Sequence, residues 1–195
     1  MRAYIKNAFL ILILSAIAIS AFNCDDIRTE KPLVKNSGEN KQTYSDEYLT
    51  VSKVIDGDTF RMSNGEKVRL IGIDTPEKYD SDKLDRESSK TGRDKQTIKK
   101  LGEAASDYVT KLVEGKKVRL EKDPGYDNVD KYNRLLRYVY FEDGTLVNAK
   151  ILEDGYANVF YDKSISKINE FKKLESDARK NKKGLWGEVD GTTQF

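Results

Sequence analysis

The pair Asn64-Gly65 stands between two short runs that read as β-strand, residues 59–63 (TFRMS) and 67–73 (KVRLIGI). Asn-Gly in that position is a strong hairpin signal, because both residues accept the left-handed backbone that a tight two-residue turn requires. Residues 48–55 (YLTVSKVI) precede this hairpin, and residues 117–121 (KVRLE) and 135–141 (LLRYVYF) follow it, which gives five strand-like segments. Nothing covalent can staple them. The 195-residue chain has one cysteine and no histidine, so an intrachain disulfide, a cysteine cluster and imidazole-ligated zinc are all excluded. The fold must rest on an apolar core. Any catalysis must use carboxylates, Arg, Lys, Tyr or hydroxyls, since Ser-His-Asp chemistry is excluded as well.

Helical spacing appears in three places. Ile98, Leu101, Ala105, Tyr108, Val109, Leu112 and Val113 recur every three or four residues until Gly115 closes the pattern. A short helix is expected over 146–153, stopped by Gly155. A last one is expected over about 164–181, with Ile165, Ile168, Phe171, Leu174 and Ala178 on one face and Gly184 at its end. The stretch 77–96 is highly charged and lacks an apolar period. It is expected to be an exposed loop, read as a solvated flap with substrate contact as the alternative. Together these elements suit an α+β, mainly β fold, a five-stranded Greek-key barrel with three helices.

The N-terminus has a separate logic. Arg2 and Lys6 precede an uncharged apolar run, residues 8–22 (AFLILILSAIAISAF), so residues 1–23 are expected to be a signal peptide. The run falls short of the ~20 residues of a membrane-spanning helix. Cys24 directly after it is placed like the acylated cysteine of a bacterial lipoprotein. Ala21-Phe22-Asn23 fits that pattern poorly, so free secretion after a small residue such as Ser20 and an uncleaved anchor stay open. Residues 24–47 are polar without period and read as a flexible tether, and residues 48–195 as one domain expected to be monomeric. Loss of Arg2 and Lys6 leaves basic and acidic side chains equal at 33. A polyanionic partner must then be attracted by a local cluster, because net charge supplies no steering.

Three charged clusters sit at strand ends, where a rigid barrel presents side chains. They are Asp56-Gly57-Asp58-Thr59, then Arg69 followed by Asp74-Thr75-Pro76-Glu77, then Asp130-Lys131-Tyr132-Asn133-Arg134. Taken singly each is weak: Asp-Gly is a common turn, and an Arg in an apolar strand can simply point to solvent. In order and spacing, together with Gly184-Leu185-Trp186, they resemble the motifs of the staphylococcal nuclease (thermonuclease) family, over about residues 51–186. That family's fold is an oligonucleotide-binding five-stranded barrel with three helices.

The resemblance implies that Asp58 and Asp74 ligate one calcium ion together with the main-chain carbonyl of Thr75, and that Asp56 acts behind them or through water. It implies Glu77 as general base or water-positioning group and Arg69 and Arg134 as phosphate clamps. Lys131 and Tyr132 would hold a terminal phosphate, and Tyr161 would pack beside a base. The implied activity is calcium-dependent hydrolysis of DNA and RNA that releases the 5′ oxygen and leaves 3′-phosphate ends. The alternative class is a noncatalytic nucleic-acid-binding module. The chemistry is self-consistent: phosphodiester hydrolysis needs an activated water and neutralisation of a phosphate that gains charge, which a carboxylate, a divalent cation and two guanidiniums provide. Two departures stand out. Asn133 replaces the family's usual Gly, and Lys163 stands where a second nucleotide-pocket tyrosine is expected.

Overall fold

The structure, a computed structural model, describes residues 47–187. The expected signal peptide and Cys24 lie outside the described residues, as does the expected tether except for Glu47. Strands β1 (Tyr48–Asp56), β2 (Thr59–Met62), β3 (Lys67–Leu70), β5 (Lys117–Glu121) and β6 (Leu135–Phe141) close into a barrel in the order β1-β2-β3-β6-β5. The short β4 (Ile73–Asp74) pairs with β7 (Asn158–Val159) beside it. Alternation along the strands buries Val51, Phe60, Met62, Val68, Leu70, Val118 and Val139 in one core.

The pairings place the charged clusters. The Asn64-Gly65 hairpin forms as expected, with Gly65 at φ 88, and sets Thr59 opposite Arg69. Parallel pairing of β3 with β6 sets Arg69 opposite Leu136 and so draws Arg134 to the same barrel end. The expected continuous strand over 67–73 is interrupted: Gly72 takes φ 77 above the Phe171 ring, and the chain turns so that Ile71 and Ile73 are both buried. That turn sets the Asp74 carboxylate 3.0 Å from Arg69 of β3 and 3.1 Å from Lys83.

Helix α2 (Lys95–Val113) lies along β1, and α3 (Val147–Glu153) is pinned to the β3–β6 seam by Asn148. The Asn148 amide donates to the Ile71 carbonyl at 2.9 Å, and its oxygen accepts from the Val139 N–H at 3.0 Å. Helix α4 (Ile168–Lys180) starts later than expected. Asp123 takes the Ser166 N–H (2.8 Å) and hydroxyl (2.8 Å), which holds the chain in a turn just before it. A 3₁₀ turn, Gly184–Trp186, closes the described chain.

The charged stretch 77–96 contains a fourth helix rather than a loop, α1 (Asp82–Thr91). The Ser81 side chain caps it by accepting from the Leu84 N–H at 3.2 Å, Asp82 and Asp85 sit in its first turn, and Gly92 ends it at φ 72. Leu84 is its one fully buried residue, and a single apolar anchor produces no period to read. Among the described residues the barrel thus carries four α-helices, one more than expected.

Candidate active site

Arg69 organises the site. One terminal nitrogen of its guanidinium donates to the carbonyls of Leu70 (2.8 Å) and Ile73 (2.7 Å), both on the bend that follows β3. The other reaches Asp58 (3.2 Å) and Asp74 (3.0 Å). This resolves why an Arg stands in an apolar strand: backbone carbonyls fix the fork, and its anion-facing edge is left pointing at the strand ends.

Asp58 is buried and fully engaged. Its Oδ2 accepts from the Thr75 N–H at 3.1 Å and the Thr75 hydroxyl at 3.2 Å, and its Oδ1 from the Thr59 hydroxyl at 3.0 Å. Burial alone would push its carboxyl up, but Arg69 and Lys83 outweigh that and hold it below the ordinary carboxylate value. At Asp74 burial wins with help from the Asp58 charge, and the carboxyl is pushed up. Burial and the Asp58 charge also push Asp56 up to about 6, and Glu77 adds to that. The Asp58 charge thus opposes ionisation of both Asp56 and Asp74.

Thr59 links the first and third clusters. Its hydroxyl donates to Asp58 and accepts from an Arg134 terminal nitrogen at 3.3 Å. Asp130 orients Arg134 through Nε at 2.6 Å and caps the turn by accepting from the Tyr132 and Arg134 N–H groups, each at 2.9 Å. Asn133 takes φ 60 there, so Asn serves in the left-handed position. Lys131, Tyr132, Arg134 and Arg69 line one groove of about 560 Å³, in which the exposed Tyr132 ring has Lys131 5.0 Å and Arg134 5.4 Å from its centre.

Two residues stand apart from this arrangement. Tyr161 lines a different groove, and Phe160 takes a place in the first. Glu77 is buried and makes no hydrogen bond or ion pair to the two arginines or two aspartates. Its Oε1 accepts from the N–H groups of Lys78 (3.1 Å) and Tyr79 (3.3 Å), which leaves Oε2 uncommitted. Its own N–H donates to Glu87 at 3.2 Å.

Sequence reasoning missed two neighbours of the site. Lys83 on α1 sets its ammonium 2.9 Å from the Thr75 carbonyl and 3.1 Å from Asp74, touching two of the three expected calcium donors. Burial opposes its charge, but Asp74 and Asp58 outweigh burial and raise its affinity for the proton. Gly102 inside α2 is the second. A Cβ there would stand 2.7 Å from the Pro76 carbonyl oxygen and 2.8 Å from the Glu77 carbonyl carbon, so only glycine lets α2 back directly onto the Glu77 backbone. An isolated Gly in a helical pattern was the available signal for it.

The donors converging here are all oxygen: the Asp58 and Asp74 carboxylates and the Thr75 carbonyl, already satisfied by cationic nitrogens. That set suits a hard cation such as calcium, with water completing the shell. Among the described residues no group of three or more His, Cys, Asp or Glu is arranged to hold a metal.

A closed five-stranded barrel with acidic and guanidinium groups gathered at one end defines an oligonucleotide-binding barrel equipped for phosphate chemistry. The chain belongs to the staphylococcal nuclease homologue family, whose match covers residues 67–188. It is 32% identical to a thermonuclease of Staphylococcus intermedius over 179 residues, covering 90% of this chain and 95% of that protein. It is 36% identical over 143 residues to two Bacillus subtilis (strain 168) proteins, the SPbeta prophage-derived endonuclease YokF and the endonuclease YncB. In both cases 71% of this chain is covered, but only 43% and 61% of those longer relatives.

Proposed function

We propose that this chain is a calcium-dependent nuclease that hydrolyses phosphodiesters of both DNA and RNA and leaves 3′-phosphate ends. The observation that carries the reading is Arg69 held by two backbone carbonyls while its other edge faces Asp58 and Asp74. Relatives named thermonuclease and endonuclease support the reaction class.

Asp58, Asp74 and the Thr75 carbonyl would hold the calcium ion, which supplies positive charge to a phosphate oxygen and orients water. Arg69 and Arg134 bind the phosphate in exchange for carboxylate contacts and meet the charge that grows on its oxygens during attack. Glu77 takes the proton from the attacking water at its uncommitted Oε2, while the Lys78 and Tyr79 N–H groups fix the other oxygen. Lys131 and Tyr132 hold a neighbouring phosphate. None of these contacts requires a 2′-hydroxyl, which suits action on both sugars. The N-terminal pattern supports an extracytoplasmic location, anchored through an acylated Cys24, where calcium is plentiful. The test is digestion of plasmid DNA and of RNA by the purified chain in calcium, followed by end-labelling of the products. Fragments carrying 5′-phosphates in place of 3′-phosphates would overturn the proposed direction of attack.

A further inference from the structure

A second groove, of about 780 Å³, is lined by Asp74, whose partner Arg69 lines the Tyr132 groove. One wall is α1, and the other is built from β7, the two aromatic residues after it and α4. Lys83, Arg86 and Lys90 follow one another at i, i+3 and i+7 and share a single face of α1. The row begins at Asp74, and at 1.5 Å rise per residue it extends ~10 Å away from it. Arg86 and Lys90 are exposed and form no ion pair among the described residues.

The groove's charge balance is positive although the protein's is nearly neutral. Its lining holds five cationic side chains against three carboxylates, and those carboxylates are committed. Glu87 accepts from the Glu77 N–H at 3.2 Å, Glu175 from Arg179 at 3.0 Å, and Asp74 serves Arg69 and Lys83. The lining also holds two exposed rings, Phe160 at 46% and Tyr161 at 54% of full exposure, with the Lys172 ammonium 3.9 Å from the centre of the Tyr161 ring on one face. A row of cations together with exposed aromatic rings is the chemistry that binds an unpaired nucleic-acid strand, phosphates to the cations and base faces to the rings. A duplex, with its base faces stacked away, gains nothing from the rings.

The two grooves adjoin: Phe160 lines both, and the ion-paired Arg69 and Asp74 line one each. A strand that left the first groove past this ion pair would enter the second. We propose that the α1 groove is an extended subsite for single-stranded DNA or RNA beyond the phosphate being cut, with Arg86 and Lys90 as phosphate contacts that carry the strand past the base position the resemblance gives to Tyr161. The proposal rests on the nuclease reading for its orientation.

The test measures binding rather than cutting. The full chain carrying Glu77→Gln, so that substrate survives, is titrated in calcium against a fluorescent single strand of about 20 nucleotides and against a dinucleotide that fills the first groove alone. Adding Arg86→Glu and Lys90→Glu is expected to weaken binding of the long strand by about tenfold or more. It should also flatten the dependence of log affinity on log salt by about 1.4, which is about 0.7 for each lost phosphate contact. Dinucleotide affinity should change by less than about twofold. Arg86→Ala with Lys90→Ala should give a smaller loss in the same direction, and Tyr161→Ala a loss of about fivefold or more with the salt slope unchanged. Unchanged long-strand binding in the charge-reversed protein, an equal loss for the dinucleotide, tighter binding of duplex than of single strand, or no binding of the long strand at all would overturn the proposal. Cutting by the wild type is scored separately. A chain that binds as expected but cuts nothing refutes the nuclease reading and leaves the groove in place, whereas a chain that cuts but shows no groove effect does the reverse.

Discussion

Asp58 and Asp123 are almost equally hidden, at 3% and 4% exposure, yet their surroundings differ in kind. Asp123 is answered by neutral groups: the Tyr138 hydroxyl at 2.5 Å, the Ser166 N–H and hydroxyl, and the Gly125 N–H at 2.9 Å. It ties the loop after β5 to β6 and to the turn before α4, and no cation is needed. Asp58 is answered by Arg69, and its charge pushes up the carboxyls of both Asp56 and Asp74. A buried carboxylate satisfied by neutral donors is part of the scaffold. One that crowds other carboxylates and draws cations is held for a ligand, and it is tolerated because the strand ends carrying it are fixed from behind.

Substitution should separate the two kinds of site, and the largest effects belong to the cation-rich one. Glu77→Gln removes the base while keeping size, and kcat is expected to fall by at least ~10²-fold with little change in KM. Gly102→Ala acts on the same group from behind. Alanine favours a helix over glycine by about 1 kcal/mol, but the added methyl must displace the Glu77 backbone, so kcat should drop by more than about tenfold while the unfolding temperature barely falls. Steady-state kinetics beside thermal unfolding checks both, and a Gly102→Ala protein with full kcat would show that the close approach is packing alone.

Asp123→Asn and Asp58→Asn should give opposite patterns. Asp123→Asn is expected to cost about 2–3 kcal/mol of stability, as hydrogen bonds to a charged group are lost, and to leave kcat of the folded fraction unchanged. Its carboxyl resists the upward push of burial because Tyr138, Ser166 and Gly125 donate to it, and it lies below the ordinary 3.8. A depressed folded value means that the stabilisation is complete above the unfolded value and is lost as pH falls through the folded one. The gap between wild type and Asp123→Asn should thus be constant near neutral pH and narrow below about pH 4. Asp58→Asn should cost less stability, since Arg69 keeps Asp74 and two carbonyls, and should weaken calcium binding instead. Denaturant unfolding across pH, with calcium calorimetry, reads both.

The smallest expected effect concerns Lys83. Its ammonium occupies contacts at Asp74 and the Thr75 carbonyl that a divalent ion would use, so Lys83→Met should tighten calcium binding severalfold in calorimetry. Weaker binding in that variant would mean that Lys83 helps to form the site rather than compete for it.

The strand pattern and the site carboxylates were legible because both are local. Alternation buries Phe60 and Met62, Asn64-Gly65 fixes the hairpin, and the charged clusters fall at strand ends by sequence position. The interruption at Gly72 was not legible, since a continuous apolar run hides the bend that aims Asp74. Helix α1 rests on one apolar residue, Leu84, so its capping residues outweigh its periodicity, and with the helix unseen, Lys83 had no visible route to the site. Asp123 meets Tyr138 and Ser166 across 15 and 43 residues, a separation that only the folded barrel brings together.

The role proposed for the Asp58–Arg69–Asp74 cluster is phosphodiester hydrolysis with calcium. The most direct measurement is the rate at which the purified chain cuts a labelled single strand in calcium, in excess chelator, and in calcium after Glu77→Gln, with folding verified in all three. Rapid cutting is expected in the first condition, none detectable in the second and at least ~10²-fold slower cutting in the third. Equal rates in calcium and chelator, or no cutting by the folded wild type in calcium, would contradict that role.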